Sequence, residues 1–459
     1  VSTPTGLVPA PVEAVAVPQG RWAVAMAPRG LILLAVGLAW ALPAFAHPAF
    51  LWAVVGWDAA VVLLWLADVR RLPPARTIRV RREWLTPLAL SVRSEVRVAL
   101  ESASSARLSV DLVDAVSHTL RAVPPRLRLE SAPEGTATGH YDVEPTVRGP
   151  VSVGDVYLRY RGPLQLGERW ARAPLAQTAL AYPNLEAASR QALRLIRMRS
   201  IELEKRAARF RGTGRLFESL REFRDGDELR DVCWTASARR GRLTTRLYEI
   251  ERSQTVWILL DAGRLMRARE AGLSKLDHGV NAALALAEVA LGTGDRVGLI
   301  TYSRQIAQRV PAARGAAHLR LLVEHLARVP EDEWEADHVQ AAARLLTDQR
   351  RRSLVVWITD LAETAATPEV VRAAAHLMRQ HVVLFIAIGQ PSLEVLADRP
   401  PTTEAEMFES AAAQTLAVRR ARLLATIRDG GALVLETGAR TLMASAVNAY
   451  LDVRAQGRL

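Results

Sequence analysis

The sequence has a single cysteine, Cys233, and two lysines, Lys205 and Lys275, in 459 residues. One cysteine excludes an intramolecular disulfide and any cysteine zinc cluster, and it fits a reducing compartment. With so few lysines, the basic side of the charge balance is nearly all arginine: 60 Lys+Arg against 48 Asp+Glu leave +12 at neutral pH. These arginines are spread along the chain rather than gathered in a stripe, so no nucleic-acid partner is expected. Nucleotide cradles are missing too, because "GTGRLF" and "GTGDRVG" lack the Gly-Lys-Ser/Thr that would hold a phosphate. His318 and His325 stand seven apart, without the i, i+4 spacing that brings two imidazoles to one metal.

No charged residue occurs between Arg29 and Asp58. That gap holds most of two apolar runs, "GLILLAVGLAWALPAFA" and "AFLWAVVGWDAAVVLLWLA", parted by His47 and Pro48. Each is near the lower limit of about 17 residues for a spanning helix. The expectation is a transmembrane helical hairpin over residues 30–69, touching the lipid bilayer through two spans. Arg21 and Arg29 precede it, Arg70, Arg71, Arg76 and Arg79 follow it, and the turn is uncharged. Positive-inside reasoning then puts both termini and the soluble domains in the cytoplasm, on the inner membrane. Asp58 reads as a helix-packing residue. Residues 1–29, rich in Pro, Ala and Val without periodicity, are expected to form a disordered tail.

The length exceeds what one core usually holds, so further folded units are expected. Residues 76–183 run in short alternating segments such as "RTIRVRREW" and "ARLSVDLVD", punctuated by Pro124-Pro125, Gly149-Pro150 and Gly162-Pro163. This pattern predicts a small antiparallel β-sandwich. Residues 184–254 open with helical spacing in "LEAASRQALRLIRMRSIELEKRAARF", a linker helix. From 255 to 459 apolar strands such as "TVWILLDA", "SLVVWITD" and "HVVLFIAIG" alternate with amphipathic helices, which predicts an α/β domain with a doubly wound parallel sheet. Its ligand edge would be the carboxyl ends of the strands, where Asp261 and Asp360 lie.

A strand ending in Asp, followed later by one ending in Thr-Asp, resembles the von Willebrand factor A domain. In that family the first strand continues Asp-x-Ser-x-Ser, and a magnesium ion sits on these oxygens. Here the loop reads "DAGRL": Asp261 is kept, while Gly263 and Leu265 stand at the serine positions and offer no side-chain oxygen. Asp337, in "EWEADHVQAA", is the nearest oxygen donor from the later loop. The candidate metal site is therefore Asp261, Asp337 and Asp360, degenerate against the pattern; no cofactor is expected, and magnesium is the ion the pattern raises.

The segment "GDELRDVCWTASARRGRL" just before that domain is similar to the bacterial family called domain of unknown function 58. Gly226, Asp227, Arg230, Trp234, Ser237, Ala238, Arg239, Tyr248 and Glu251 fall on its pattern, with Val232 replacing the usual Ile. The paired apolar runs, "RGPVSVGDVYLRYRGPLQL" and the closing "VNAYLDVRAQGRL" follow the same layout. The resemblance implies a non-enzymatic adaptor that works with a MoxR-type AAA+ ATPase and related membrane or A-domain proteins, assisting maturation of clients at the membrane. Read from the residues alone, Trp234 and Cys233 supply apolar bulk for a clasp against the following domain, with a partner-facing surface as the other reading. The rival class is a metal-dependent cell-envelope enzyme using Asp261, Asp337 and Asp360.

Overall fold

The computed structural model describes residues 8–20, 23–44, 47–48, 50–184, 216–223, 232–249, 254–270, 272–361, 367–389 and 391–457. The chain divides into two compact units, Val1–Asn184 and Leu185–Leu459.

The first unit is built on two antiparallel sheets. One holds β1 (Val12–Val15), β4 (Ile78–Trp84), β5 (Ser94–Ser102) and β8 (Thr136–Val143) in the order β1-β4-β5-β8. The other runs β2-β10-β9-β6-β7, from β2 (Val17–Pro18), β6 (Leu108–Val116), β7 (Arg126–Ser131), β9 (Gly149–Arg161) and β10 (Gly167–Ala173). There β3 (Val24–Met26) pairs with β10, and β11 (Gln177–Ala181) pairs with β9. Side chains alternate strictly along β4, β6 and β8, and the inward set from both sheets forms one apolar core containing Ile78, Val98, Leu108, Val110, Leu112 and Leu158.

Arg82 and Asp114 occupy two of those inward positions and are fully buried. Arg82 Nε donates to Asp114 Oδ2 at 2.9 Å and its NH2 group closes the second arm of the fork. Remaining donors reach Leu175 O at 2.9 Å and Gly154 O at 2.8 Å, and the Tyr141 hydroxyl donates to Asp114 Oδ2 at 2.7 Å. The register shift between Asp114 and Val116 lies opposite Gly154, whose backbone approaches Ala115 too closely for a side chain. That irregularity frees the Gly154 carbonyl for Arg82. Burial pushes the Tyr141 pKa up, and the Asp114 charge adds to it, so the hydroxyl stays a donor.

Two expectations are corrected here. The segment read as a disordered tail supplies β1, β2 and β3: Val12–Val15 pair with Val80 and its neighbours on β4, and Ala16 is fully buried. Composition misled because edge strands tolerate proline and need no alternation of their own. The two apolar runs also differ from two equal spans. The second forms α3 (Phe50–Arg71), 22 residues and apolar enough to cross a membrane, and it is the one described helix that meets that length. The first forms α1 (Pro28–Gly37), a 3-10 turn at Leu38–Trp40 and the short α2 (Ala41–Ala44). Alone, α1 rises about 15 Å against a hydrocarbon core of about 30 Å. It packs on α3, where Trp57 Nε1 donates to Leu33 O at 2.8 Å and Gly37 admits the Trp57 ring.

The turn between β9 and β10 holds both helices. Ala27 N, just before α1, donates to Leu166 O at 2.8 Å. Asp68, near the end of α3 and buried, accepts from Leu166 N at 3.0 Å and Gly167 N at 2.9 Å. Gly167 leaves no room for a side chain beside Val69.

In the second unit β12 (Leu216–Glu222) pairs with β13 (Thr244–Glu249), and α4 (Trp234–Arg240) lies between them in sequence. The main sheet comprises β14 (Thr255–Asp261), β17 (Arg296–Tyr302), β18 (Ile306–Ala313), β19 (Leu354–Thr359), β20 (Val382–Ile388) and β21 (Leu433–Thr437). A two-strand ribbon, β15 (Arg269–Glu270) and β16 (Leu273–Ser274), leads into α5 (Lys275–Gly292). The sheet order is β18-β17-β14-β19-β20-β21, with β18 antiparallel at the edge and the rest parallel. On one face Trp257, Leu259, Trp357 and Phe385 pack with α7 (His338–Asp348), α8 (Thr367–Met378) and α10 (Glu404–Asp429). On the other, Gly279 brings α5 against Leu260 and Ile358, and α11 (Leu442–Ala455) packs on α5. Two further helices, α6 (Ala316–Ala327) and α9 (Pro391–Asp398), complete the unit. Strand β18 and helix α9 have no counterpart in the sequence reading, and the expected linker helix lies outside the described residues.

Two outcomes follow from the first unit. Arg82→Ala strands a buried carboxylate and is expected to cost about 3–5 kcal/mol, whereas Arg79→Ala, which removes an exposed pair with Glu13, should cost at most about 1; calorimetric unfolding of the detergent-solubilised chain distinguishes them. Asp68→Ala leaves two backbone N–H groups without their acceptor, at about 1–3 kcal/mol each. Asp68→Asn keeps one acceptor oxygen and should recover part of the loss, read as resistance of the β9–β10 turn to limited proteolysis.

Candidate functional site

Strand β14 lies centrally, the next two strands go to one side and the last three to the other, so the chain direction across the sheet reverses between β14 and β19. In open sheets that reversal leaves a crevice at the carboxyl ends, where ligands bind. Asp261 ends β14 and Asp360 follows β19, and both are buried.

Each carboxylate is already engaged by the chain. Asp261 Oδ1 accepts from Gly263 N at 2.7 Å, and Oδ2 accepts from Thr359 Oγ1 at 2.6 Å. Burial raises its pKa, opposed by His338 and by those two hydrogen bonds. Asp360 Oδ2 accepts from Lys275 Nζ at 2.6 Å, and Oδ1 accepts from Arg420 at 2.7 Å. Asp337 caps α7, its Oδ1 accepting from Gln340 N at 2.8 Å.

Lys275 opens α5, where a positive charge is opposed by the helix dipole. Its position is set by a capping box: Ser274 Oγ accepts from Asp277 N at 3.1 Å, and Asp277 Oδ2 accepts from Ser274 N at 3.3 Å. The lysine is 2% exposed, which leaves Asp360 as the charge that compensates its burial. Arg420 comes from α10 and spans three strand ends, donating to Leu361 O at 2.6 Å, Ile388 O at 2.7 Å and Glu436 Oε1 at 2.8 Å.

A third buried group completes the neighbourhood. Trp357 Nε1 donates to the Tyr302 hydroxyl at 2.6 Å, and that oxygen stands 3.0 Å from His338 Nδ1. Burial lowers the His338 pKa, opposed by the nearby Asp261 and Asp337 carboxylates. Above lies an acidic loop: Arg264 N donates to Trp334 O at 2.8 Å, Ser303 Oγ to Asp332 Oδ2 at 2.6 Å, and Arg264 and Arg267 pair with Glu335 and Glu333.

The residues present do not fit a divalent cation. Among the described residues no group of three acidic, His or Cys side chains could hold a metal. At Gly263 a Cβ would meet Ala336 N at 2.9 Å, so the loop itself fills the space a serine would need. In the described structure Asp261, Asp337 and Asp360 are one turn-former, one helix cap and one partner of two chain cations. Lys275, Arg420 and His338 were missed by the sequence reading. The one available signal was Lys275, a lysine at a helix start and one of only two in the chain.

Of the motif residues, Gly226, Asp227, Arg230 and Glu251 lie outside the described residues. Ser237 is buried; its Oγ donates to Cys233 O and accepts from Thr244 N, both at 2.9 Å. Cys233 N donates to Thr244 O, and Val232 bridges to Thr245. Gly241, at φ +65°, ends α4 in the left-handed conformation and lets the chain return into β13. Tyr248 lies on β13 opposite Phe217. Trp234 is 65% exposed, and Arg239 and Arg240 in the last turn of α4 are exposed as well. The apolar bulk expected of Trp234 is therefore supplied by Val232 and Cys233 instead.

Residues 219–425 match the family described as "Protein of unknown function DUF58". Among curated proteins, uncharacterized protein Mb1516 of Mycobacterium bovis and uncharacterized protein Rv1480 of Mycobacterium tuberculosis are each 27% identical over 173 residues, 37% of this chain. The matched region spans 54% of either relative, about half its length. Among solved structures, the conserved hypothetical protein BatB from Bacteroides thetaiotaomicron aligns over 44% of this chain and 100% of its own, at 16% identity and a TM-score of 0.30. Proximal thread matrix protein 1 from the mussel byssus, solved with a zinc-occupied MIDAS motif, aligns over 44% and 48% at 13% identity and a TM-score of 0.29. The match to the DUF58 family, residues 219–425, takes in the motif segment and most of the sheet that follows it.

Proposed function

We propose that the protein is a membrane-anchored adaptor that acts by binding, with a doubly wound von Willebrand factor A-like domain, and that its partner is a MoxR-type AAA+ ATPase whose clients it helps mature. The observation that carries this reading is the contrast between the two candidate sites. The buried acids at the strand ends are all engaged by the chain, while α4 offers an exposed Trp234 with exposed Arg239 and Arg240. Exposed tryptophan and arginine together are the side chains that most often anchor an interface. The strand order and the aspartates after β14 and β19 support the A-like reading of the domain.

The anchor is read as a hairpin with both ends in the cytoplasm. Support comes from covalent topology: β1, β2 and β3 precede the apolar helices, yet they pair with β4 and β10, which follow them. Strands of one sandwich lie on one side of a bilayer, so the segment from Pro28 to Arg71 must leave and return. In that reading α3 is one leg, and the near-continuous helical run from Pro28 to Ala44 is the other.

A reporter fused to the C-terminus should give a cytoplasmic signal; a periplasmic one would overturn both the location and the ATPase partnership. For the partner, the detergent-solubilised full chain is titrated with the ATPase. Trp234→Ala and Arg239→Ala should each weaken binding by about 2 kcal/mol, roughly 30-fold, with the melting temperature unchanged. Loss of folding in Trp234→Ala, or binding equal to wild type in both variants, would refute α4 as the recognition surface.

A further inference from the structure

The ends of β14 and β19 bring two carboxylates together in a buried crevice, and a divalent cation would be the usual means of balancing them. This chain holds two positive side chains at the same place. Lys275 and Arg420 each donate to a different oxygen of Asp360, at 2.6 and 2.7 Å, and Asp360 in turn lies close enough to Asp261 for their charges to interact. The two side chains carry the same total charge as one divalent ion. Unlike an ion, they are tethered: Lys275 belongs to the first turn of α5, fixed by the Ser274–Asp277 capping box, and Arg420 bridges the ends of β19, β20 and β21.

We propose that Lys275 and Arg420 are a built-in substitute for the divalent cation of this sheet edge, so that the edge is assembled by the chain itself and its folding does not depend on metal. The packing around the edge agrees. Gly263 abuts Ala336 where an oxygen-bearing side chain would have to stand, and both Asp261 oxygens are used by Gly263 N and Thr359 Oγ1. Lys275 is nearly inaccessible, so it is a counter-charge and not a contact for solvent ligands. The same pair ties the start of α5 to the strand ends, which holds the edge in one conformation where an exchangeable ion would permit two. The inference concerns charge balance at the edge and stands independently of the ATPase reading.

The test is thermal unfolding of the full chain in detergent, in excess EDTA and again in excess magnesium or manganese. Wild type is expected to melt at the same temperature in all three. Lys275→Met leaves Asp360 underneutralised and should lower the transition of the second unit by about 10 °C. Lys275→Met combined with Asp360→Asn removes both charges and should recover part of that loss, again without response to metal. The double variant also answers the case in which Lys275→Met alone does not fold: a folded, metal-insensitive double variant supports the proposal. A wild-type melting temperature raised by magnesium or manganese, and no longer raised in Asp261→Ala, would overturn it. So would Lys275→Met melting with wild type, or a double variant no more stable than the single one.

Discussion

The second unit turns on the problem of two carboxylates buried side by side. Parallel pairing sets β14 next to β19, with Leu260 opposite Ile358, so Asp261, one residue on, and Asp360, two residues on, are carried to the same edge. A buried carboxylate without a partner costs several kcal/mol. The chain offsets that cost from three directions: a hydroxyl and a backbone N–H on Asp261, an ammonium from α5 on Asp360, and a guanidinium from α10 on the same group. Because these donors come from elements far apart in sequence, satisfying the two acids also fixes where α5 and α10 begin and end against the sheet. The acidic loop then closes over the top through Arg264 and Trp334, leaving a filled edge rather than an open cradle.

The first unit solves a similar problem differently. Arg82 and Asp114 face each other across the two sheets, and two further N–H groups of the guanidinium reach backbone oxygens. Such a pair adds little stability over an apolar core, but it discriminates against misaligned sheets, since a shift of one residue would bury either charge alone. The N-terminal strands add a second constraint. By joining the sandwich before the apolar helices begin, they make the helices an excursion from one body, and the β9–β10 turn, through Asp68 and Leu166, is where that excursion leaves and returns.

The sequence by itself determined the elements whose pattern is local. Alternation in "RTIRVRREW" and "ARLSVDLVD" reads directly as half-buried strands, and "TVWILLD" and "SLVVWIT" as strands buried on both faces. The family motif was legible for the same reason, as fixed residue types at fixed spacing. Its Ser237 has a local role, returning α4 onto β13. What the pattern did not carry was which face of the motif meets solvent. Trp234 looked like core by residue type, and only packing shows it exposed.

Tertiary structure alone decided the rest, because it depends on contacts between residues far apart along the chain. The tail became strands only because β4 and β10 offered free edges. Asp261, Asp337 and Asp360 shared a residue type that suits a metal, yet one forms a turn, one caps a helix and one holds two cations, and no spacing rule separates those fates. The partner of Asp360 is 85 residues away in Lys275 and 60 away in Arg420. Local sequence sets which way a strand or helix presents its side chains; charge balance in a buried crevice is settled only when the strands and helices that supply the charges have been brought together.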